Sequence, residues 1–110
     1  VNSPNLGVLW DMHHTYRFGG ESCEETFKAL GDKIFHVHIK DSVIMDGKIL
    51  YKMLGEGDVP VTECLKVLKD NSFDGFVSLE WVKRWYSDLE EPDVVFLQFI
   101  NFVNKTLSEI

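Results

Sequence analysis

Three short hydrophobic segments, each carrying an ionisable side chain at or near its end, constrain the fold of this chain more than any other feature. Residues 7–10 read Gly-Val-Leu-Trp before Asp11, residues 34–39 read Ile-Phe-His-Val-His-Ile, and residues 75–79 read Gly-Phe-Val-Ser-Leu before Glu80. Short apolar runs of this kind are typical of buried strands in a parallel sheet. Helical patterns follow each of them, so the order strand, helix, strand, helix, strand, helix predicts one α/β unit over residues 1–110.

The helices and a hairpin are marked by local signals. Ser22 and Glu25 form the Ser-x-x-Glu pattern of a helix N-terminus, in which each side chain bonds the other residue's backbone N–H. A second helix is predicted after Pro60, and a third begins at Pro92, where proline suits the first turn. The Asp-Gly pair at residues 46–47 predicts a small β-hairpin between the second strand and the second helix.

Charge and composition exclude several classes of protein. Eleven basic against eighteen acidic side chains leave a net charge of −7, which disfavours sequence-independent binding to nucleic acid phosphates. No apolar run approaches the roughly 20 residues that span a bilayer, and no basic-then-apolar leader opens the chain. We therefore expect a cytoplasmic protein with neither nucleic acid nor membrane as partner. Cys23 and Cys64 lack the spacing of a disulfide framework or a zinc knuckle and are interpreted as core thiols.

Asp11, His38 and Glu80 lie at the C-terminal ends of the three predicted strands. In right-handed βα units these ends lie at the same edge of the sheet, so the three side chains are predicted to lie close together there. Two carboxylates and one imidazole suit a divalent ion such as manganese, magnesium, cobalt or zinc. Taken singly, the residues also fit plain structural roles: a loop cap, an interior histidine and an ion pair. Their convergence favours a site, because burying so many ionisable groups without a partner is costly.

Four segments in order resemble the xylose isomerase-like TIM-barrel superfamily, which holds sugar isomerases and epimerases and also relatives of endonuclease IV. They are residues 10–14 (WDMHH), 36–41 (HVHIKD), 55–60 (GEGDVP) and 75–81 (GFVSLEW). The resemblance implies a partial (β/α)8 TIM barrel: about three C-terminal βα units, matching strands six to eight, plus a small hairpin. Such a piece has two open edges and an uncovered inner face, so we expect a homo-oligomer or association with a missing N-terminal half of the barrel.

The resemblance also implies roles for individual residues. The family holds its metal through a glutamate, an aspartate, a histidine and a second glutamate, and Asp11, His38 and Glu80 match the last three. The first glutamate has no counterpart in this chain. The residue matched by Glu80 also moves a proton next to a carbonyl, which makes Glu80 the catalytic candidate. His14, three residues after the metal aspartate, matches a substrate contact, whereas the position of an arginine in the tagatose epimerase type is Ile44 here.

Three further side chains near the strand ends are candidates for substrate binding. Lys40 can hold a substrate oxygen or pair with Asp41. Lys83 suits a sugar phosphate, because barrels often bind phosphate at the last strand ends, and a solvated ion pair is its plainer reading. Trp81 can stack on a sugar ring or cover the core.

The leading functional hypothesis is a metal-dependent isomerase or epimerase of a sugar or sugar phosphate, which acts by proton transfer next to a carbonyl. The chain alone is not expected to be active, because as a fragment it lacks one metal ligand and about half of the residues that would surround the substrate. The first alternative is a catalytically silent half-barrel that serves as an assembly module. The second is a phosphodiester hydrolase of the endonuclease IV kind, against which the net charge of −7 argues.

Overall fold

The structure, a computed structural model, describes residues 2–110. The elements alternate between strands and helices, with a hairpin inserted after the second strand. In chain order they are β1 (Val8–Asp11), α1 (Met12–Arg17), α2 (Cys23–Leu30), a 3₁₀ turn (Gly31–Lys33), β2 (Ile34–Ile39), β3 (Asp41–Met45), β4 (Lys48–Lys52), α3 (Val61–Asp70), β5 (Phe76–Leu79) and α4 (Pro92–Glu109).

A parallel sheet in the order β1-β2-β5 is the centre of the fold. Asp11 lies opposite His38 in the β1–β2 register, and His38 lies opposite Ser78 in the β2–β5 register. The antiparallel pair β3–β4 forms the hairpin predicted at residues 46–47. The α/β class and the parallel strands agree with the prediction.

The helices cover one face of this sheet, and the other face is open. Trp10, Val37 and Ile39 point towards the helices and are buried. On the opposite face, Leu9 is 54% exposed and Phe76 is 79% exposed. The apolar side of α3 packs against the buried strand residues through four buried side chains: Val61, Cys64, Leu65 and Leu68. Within residues 2–110, helices therefore cover one face of the sheet, and the other face is exposed.

The predicted start of α2 and the interpretation of the cysteines are confirmed. Ser22 accepts a hydrogen bond from the Glu25 amide, and the Glu25 carboxylate accepts one from the Ser22 amide. Gly31 follows the helix with φ at +59°, in the region that favours glycine. Cys23 and Cys64 are both free and buried.

Two local features depart from simple strand and loop patterns. The segment after Asp11 is the helix α1, because the Asp11 carboxylate accepts the His14 amide at 3.2 Å and caps the first turn. Phe35, which the alternation along β2 puts on the same face as Val37, is 50% exposed. The β1–β2 register shifts between Val8 and Leu9, so Phe35 lies in an irregular part of the ladder.

No helix in the described part of the chain combines the length and the apolar character needed to cross a membrane.

Candidate metal centre

The structure brings Asp11, His38 and Glu80 together at the C-terminal edge of the sheet. One ligand atom from each side chain lies within 4.8 Å of the other two. The β1–β2 register places Asp11 beside His38. The Glu80 amide donates a hydrogen bond to the Ile39 carbonyl at 3.0 Å, so the pairing of β2 with β5 continues as far as Glu80. All three side chains are partly exposed, so an ion can reach them from the open face.

The two carboxyl groups of this cluster differ in proton affinity. Burial, followed by a hydrogen bond to Glu80, raises the pKa of Asp11 above its usual value. The hydrogen bond from Asp11, together with the Lys40 ammonium, lowers the pKa of Glu80 to about 2. Glu80 is therefore ionised at neutral pH. A divalent cation fits this donor set, because it offsets the repulsion between two neighbouring carboxylates.

Lys40 orients Glu80 instead of pairing with Asp41. Its side chain is buried, and its Nζ lies 2.9 Å from Glu80 Oε2. The same ammonium lies 5.1 Å from the centre of the Tyr51 ring, within the range of a cation–π contact. The ion pair leaves the second oxygen of Glu80, Oε1, for another partner.

Adjacent histidines beside this cluster have different environments. His14 Nδ1 lies 2.8 Å from Asp11 Oδ2, and the His14 side chain is 57% exposed at the rim. His13 is fully buried, and its Nε2 hydrogen-bonds the Ser42 hydroxyl at 2.8 Å. Arg17 donates to the same hydroxyl, so the hydroxyl hydrogen points to the imidazole and His13 serves as acceptor there. Burial lowers the pKa of His13 to about 4. Asp11, His13 and His14 also bring ligand atoms within 4.8 Å of one another.

Deeper on the β2 strand, the imidazole of His36 hydrogen-bonds the Ser78 hydroxyl at 2.6 Å. His36 thus has an interior structural role one pleat below His38.

Asp41 holds the loop beside the site, a role that the sequence analysis missed. The Asp41 side chain is buried and accepts four backbone hydrogen bonds of 2.8–3.1 Å. Oδ1 binds the amides of Ser42 and Val59, and Oδ2 binds those of Gly55 and Gly57. A Cβ at Gly57 would lie 2.1 Å from Asp41 Oδ1, so this glycine is required for the approach of Asp41. In the sequence, the Gly-Glu-Gly motif at residues 55–57 was the signal for a close backbone contact at this loop. The group that the backbone approaches is the Asp41 carboxylate of the same chain.

Lys83 and Trp81 lie in the loop after β5 and do not join the carboxylate cluster. Lys83 Nζ donates to the carbonyls of Ser87 at 2.8 Å and Leu89 at 2.7 Å, and it pairs with the Glu91 carboxylate at 3.2 Å. The Trp81 indole N–H donates to the Glu90 carbonyl at 2.9 Å. Both side chains thus hold the 81–91 loop in shape.

The fold and this cluster can be compared with known proteins. The model of the xylose isomerase-like TIM barrel family matches residues 1–99. The chain belongs to this family. Its α/β architecture, with a parallel sheet and covering helices, is in keeping with that membership.

Relatives within the xylose isomerase-like family include sugar isomerases and epimerases. The chain is 31% identical to an inosose isomerase of Bacillus licheniformis over 101 residues, which are 86% of this chain and 35% of that protein. It is 32% identical to the fructoselysine 3-epimerase of Escherichia coli O157:H7 over 89 residues, which are 80% of this chain and 31% of that protein. A crystal structure of the IolI protein with a binding zinc atom superposes with a TM-score of 0.74 at 26% identity, over 96% of this chain and 40% of that one. The chain thus spans about a third of the length of these relatives.

Proposed function

We propose that this chain supplies the metal centre of a sugar isomerase or epimerase that moves a proton next to a carbonyl. The observation that carries the proposal is the convergence of ligand atoms from Asp11, His38 and Glu80 within 4.8 Å. The relatives named inosose isomerase and fructoselysine 3-epimerase, and the zinc atom in the IolI structure, support the same chemistry.

In this proposal Asp11, His38 and Glu80 hold a divalent metal, with zinc, manganese, cobalt and magnesium all suited to two carboxylates and an imidazole. When bound, the ion supplies Lewis acidity that polarises a carbonyl and a neighbouring hydroxyl of the sugar. A further glutamate, which this chain lacks, completes the family's ligand set.

The chain's own side chains then perform separate tasks. Glu80 is the proton acceptor: its carboxylate is ionised at neutral pH, with a pKa lowered to about 2. A base with so low a pKa needs a substrate C–H that the polarised carbonyl has made acidic. Lys40 positions the Glu80 carboxylate through the 2.9 Å ion pair. His14 and Trp81 contact the sugar from the rim. Lys83 holds the loop that carries Trp81, so a phosphate on the sugar is not needed to explain its charge.

Substitution of Glu80 tests the metal assignment. We expect Glu80→Ala to weaken Zn²⁺ binding at least about tenfold in a calorimetric titration, because a ligand is lost from a site with only three. The control Glu109→Ala removes an exposed carboxylate at the end of α4 and is expected to leave the affinity unchanged. Equal Zn²⁺ affinities of the wild type and Glu80→Ala would refute the assignment.

We further infer that the chain corresponds to strands six to eight of the family barrel and works with the remaining strands. Within residues 2–110, β1 and β5 each pair on one side only. Leu9 and Phe76 are more than half exposed on the inner face of the sheet. Open strand edges and an apolar face of this kind favour association, either with the rest of the barrel or between copies.

Association can be measured directly. We expect the 12.7 kDa chain to elute from a size-exclusion column as an oligomer, or to shift to a larger species when mixed with a separately made N-terminal half of a family barrel. Isomerase activity that appears only in the mixture supports the enzyme. A stable mixed assembly without activity favours the silent assembly module instead. A compact, stable monomer that ignores the other half would contradict this proposal.

A further inference from the structure

A cavity of about 390 Å³ lies between the hairpin and the loop that follows β5. Residues of β4 form one wall, and residues 81–90 form the other. Two residues of its lining connect the cavity to the candidate metal centre. Tyr51, in its wall, contacts the Lys40 ammonium that holds Glu80, and Trp81 directly follows Glu80 in the chain.

Three aromatic rings line this cavity, and none of them is needed to explain the metal centre. Tyr51 and Tyr86 pack with their ring centres 5.2 Å apart and their planes tilted by 56°. Trp81 also lines the cavity, and its indole N–H is held by the hydrogen bond to the Glu90 carbonyl. Aromatic faces attract cations, and Tyr51 already has the Lys40 ammonium 5.1 Å from its centre.

The charges around these rings have one dominant sign. The carboxylates of Glu56, Asp88 and Glu90 line the cavity together with the ammonium of Lys52. The Lys40 ammonium beside Tyr51 is already paired with Glu80. None of the three carboxylates forms an ion pair within residues 2–110. The loop after β5 carries two cations outside the cavity lining: Lys83 is bound to two carbonyls and to Glu91, and the Arg84 guanidinium lies 5.0 Å from the centre of the Trp85 ring. The cavity therefore repels a phosphate and attracts a cation.

We propose that this aromatic cavity binds a positively charged, ammonium-bearing arm of the sugar substrate. The inference rests on the proposed function for the placement of the sugar ring at the metal centre. It assigns the substrate class: a sugar that carries an amine, in preference to a sugar phosphate. The rings supply cation–π contacts, and the carboxylates supply charge-assisted hydrogen bonds to the ammonium.

Two matched amine probes and one sugar phosphate test the assignment with the 110-residue chain. Fructosyl-1,4-diaminobutane ends in an ammonium, fructosyl-pentylamine ends in a methyl group at the same length, and fructose 6-phosphate carries the opposite charge. We follow the ¹H–¹⁵N signals of the tryptophan indoles, assigning Trp81 by the loss of its signal in Trp81→Phe. Trp10, which is buried in the core, and Trp85, which is outside the cavity, serve as internal references.

We expect the ammonium probe to shift the Trp81 signal and to bind about tenfold more tightly than the methyl probe, which corresponds to ~1.4 kcal/mol. The double variant Glu56→Gln, Asp88→Asn should remove most of this preference. The charge-matched control Asp74→Asn, Glu109→Gln changes two exposed acids outside the cavity and should keep it. Equal affinities for the two amine probes, tighter binding of fructose 6-phosphate, or an unmoved Trp81 signal would overturn the inference.

A Zn²⁺ titration of the same samples separates the two proposals. Zn²⁺ bound at least about tenfold more weakly by Glu80→Ala than by the wild type, together with equal probe affinities, rejects the cavity and keeps the metal centre. An ammonium preference at Trp81 without Zn²⁺ binding rejects the metal centre and keeps the cavity as a cation site.

Discussion

Replacing Asp41 by asparagine is expected to lower the free energy of unfolding by about 3 kcal/mol. The Asp41 carboxylate is buried and accepts four backbone N–H groups, two at each oxygen. Asparagine has one oxygen only. In one orientation its NH₂ faces the amides of Gly55 and Gly57, and in the other it faces those of Ser42 and Val59. Either way two buried donors lose their acceptor, and each costs about 1–3 kcal/mol.

Urea unfolding measured by circular dichroism gives this free energy. The control is Asp46→Asn in the hairpin turn, which removes an identical charge from an exposed residue with φ at +52°, a conformation that asparagine tolerates. We expect the control to stay within about 0.5 kcal/mol of the wild type. If Asp41→Asn were as stable as Asp46→Asn, the four hydrogen bonds would not stabilise the loop as described.

Acidification is expected to destabilise the metal-free chain through His13. Burial lowers the pKa of this imidazole to about 4, whereas an unfolded histidine titrates near 6.5. Between these values the unfolded chain binds a proton that the folded chain does not, so stability falls as the pH drops through this window. The stabilisation is fully present above about pH 6.5 and is lost by about pH 4, with a total of about 3 kcal/mol.

The pH slope of the unfolding free energy in the presence of a chelator measures this effect. His13→Gln keeps an acceptor for the Ser42 hydroxyl but cannot titrate, so its slope between pH 6.5 and pH 4.5 should be shallower than that of the wild type. His14→Gln changes a neighbouring ring that is 57% exposed and should keep the wild-type slope. Identical slopes in the wild type and His13→Gln would show that burial does not bias the protonation of His13.

Features that depend on short sequence patterns were predicted well. The capping box at Ser22 and Glu25 needs only residues three apart, and the Asp-Gly turn needs only two. The meeting of Asp11, His38 and Glu80 was also predictable, because parallel strands with helical crossovers have their C-terminal ends on one side of the sheet.

Contacts of individual side chains across the fold were not predictable in the same way. Lys40 was expected to hold substrate or to pair with its neighbour Asp41, yet its partner is Glu80, 40 residues away. The helix α1 was not among the predicted elements, because Asp11 was weighed as a metal ligand or as the cap of a loop, and not as the cap of a helix. The displacement of Phe35 from the core follows from a register shift between two strands, which no single strand sequence specifies.

The amino-acid sequence by itself determined the order of strands and helices, the family, and the edge of the sheet at which Asp11, His38 and Glu80 gather. These depend on periodicity, local hydrogen bonds and the handedness of βα units, all of which act within one or two neighbouring elements. Only the tertiary structure decided the partners of Lys40 and Asp41 and formed the aromatic cavity. Those depend on angstrom-scale distances between segments far apart in the chain, which packing of the whole core establishes.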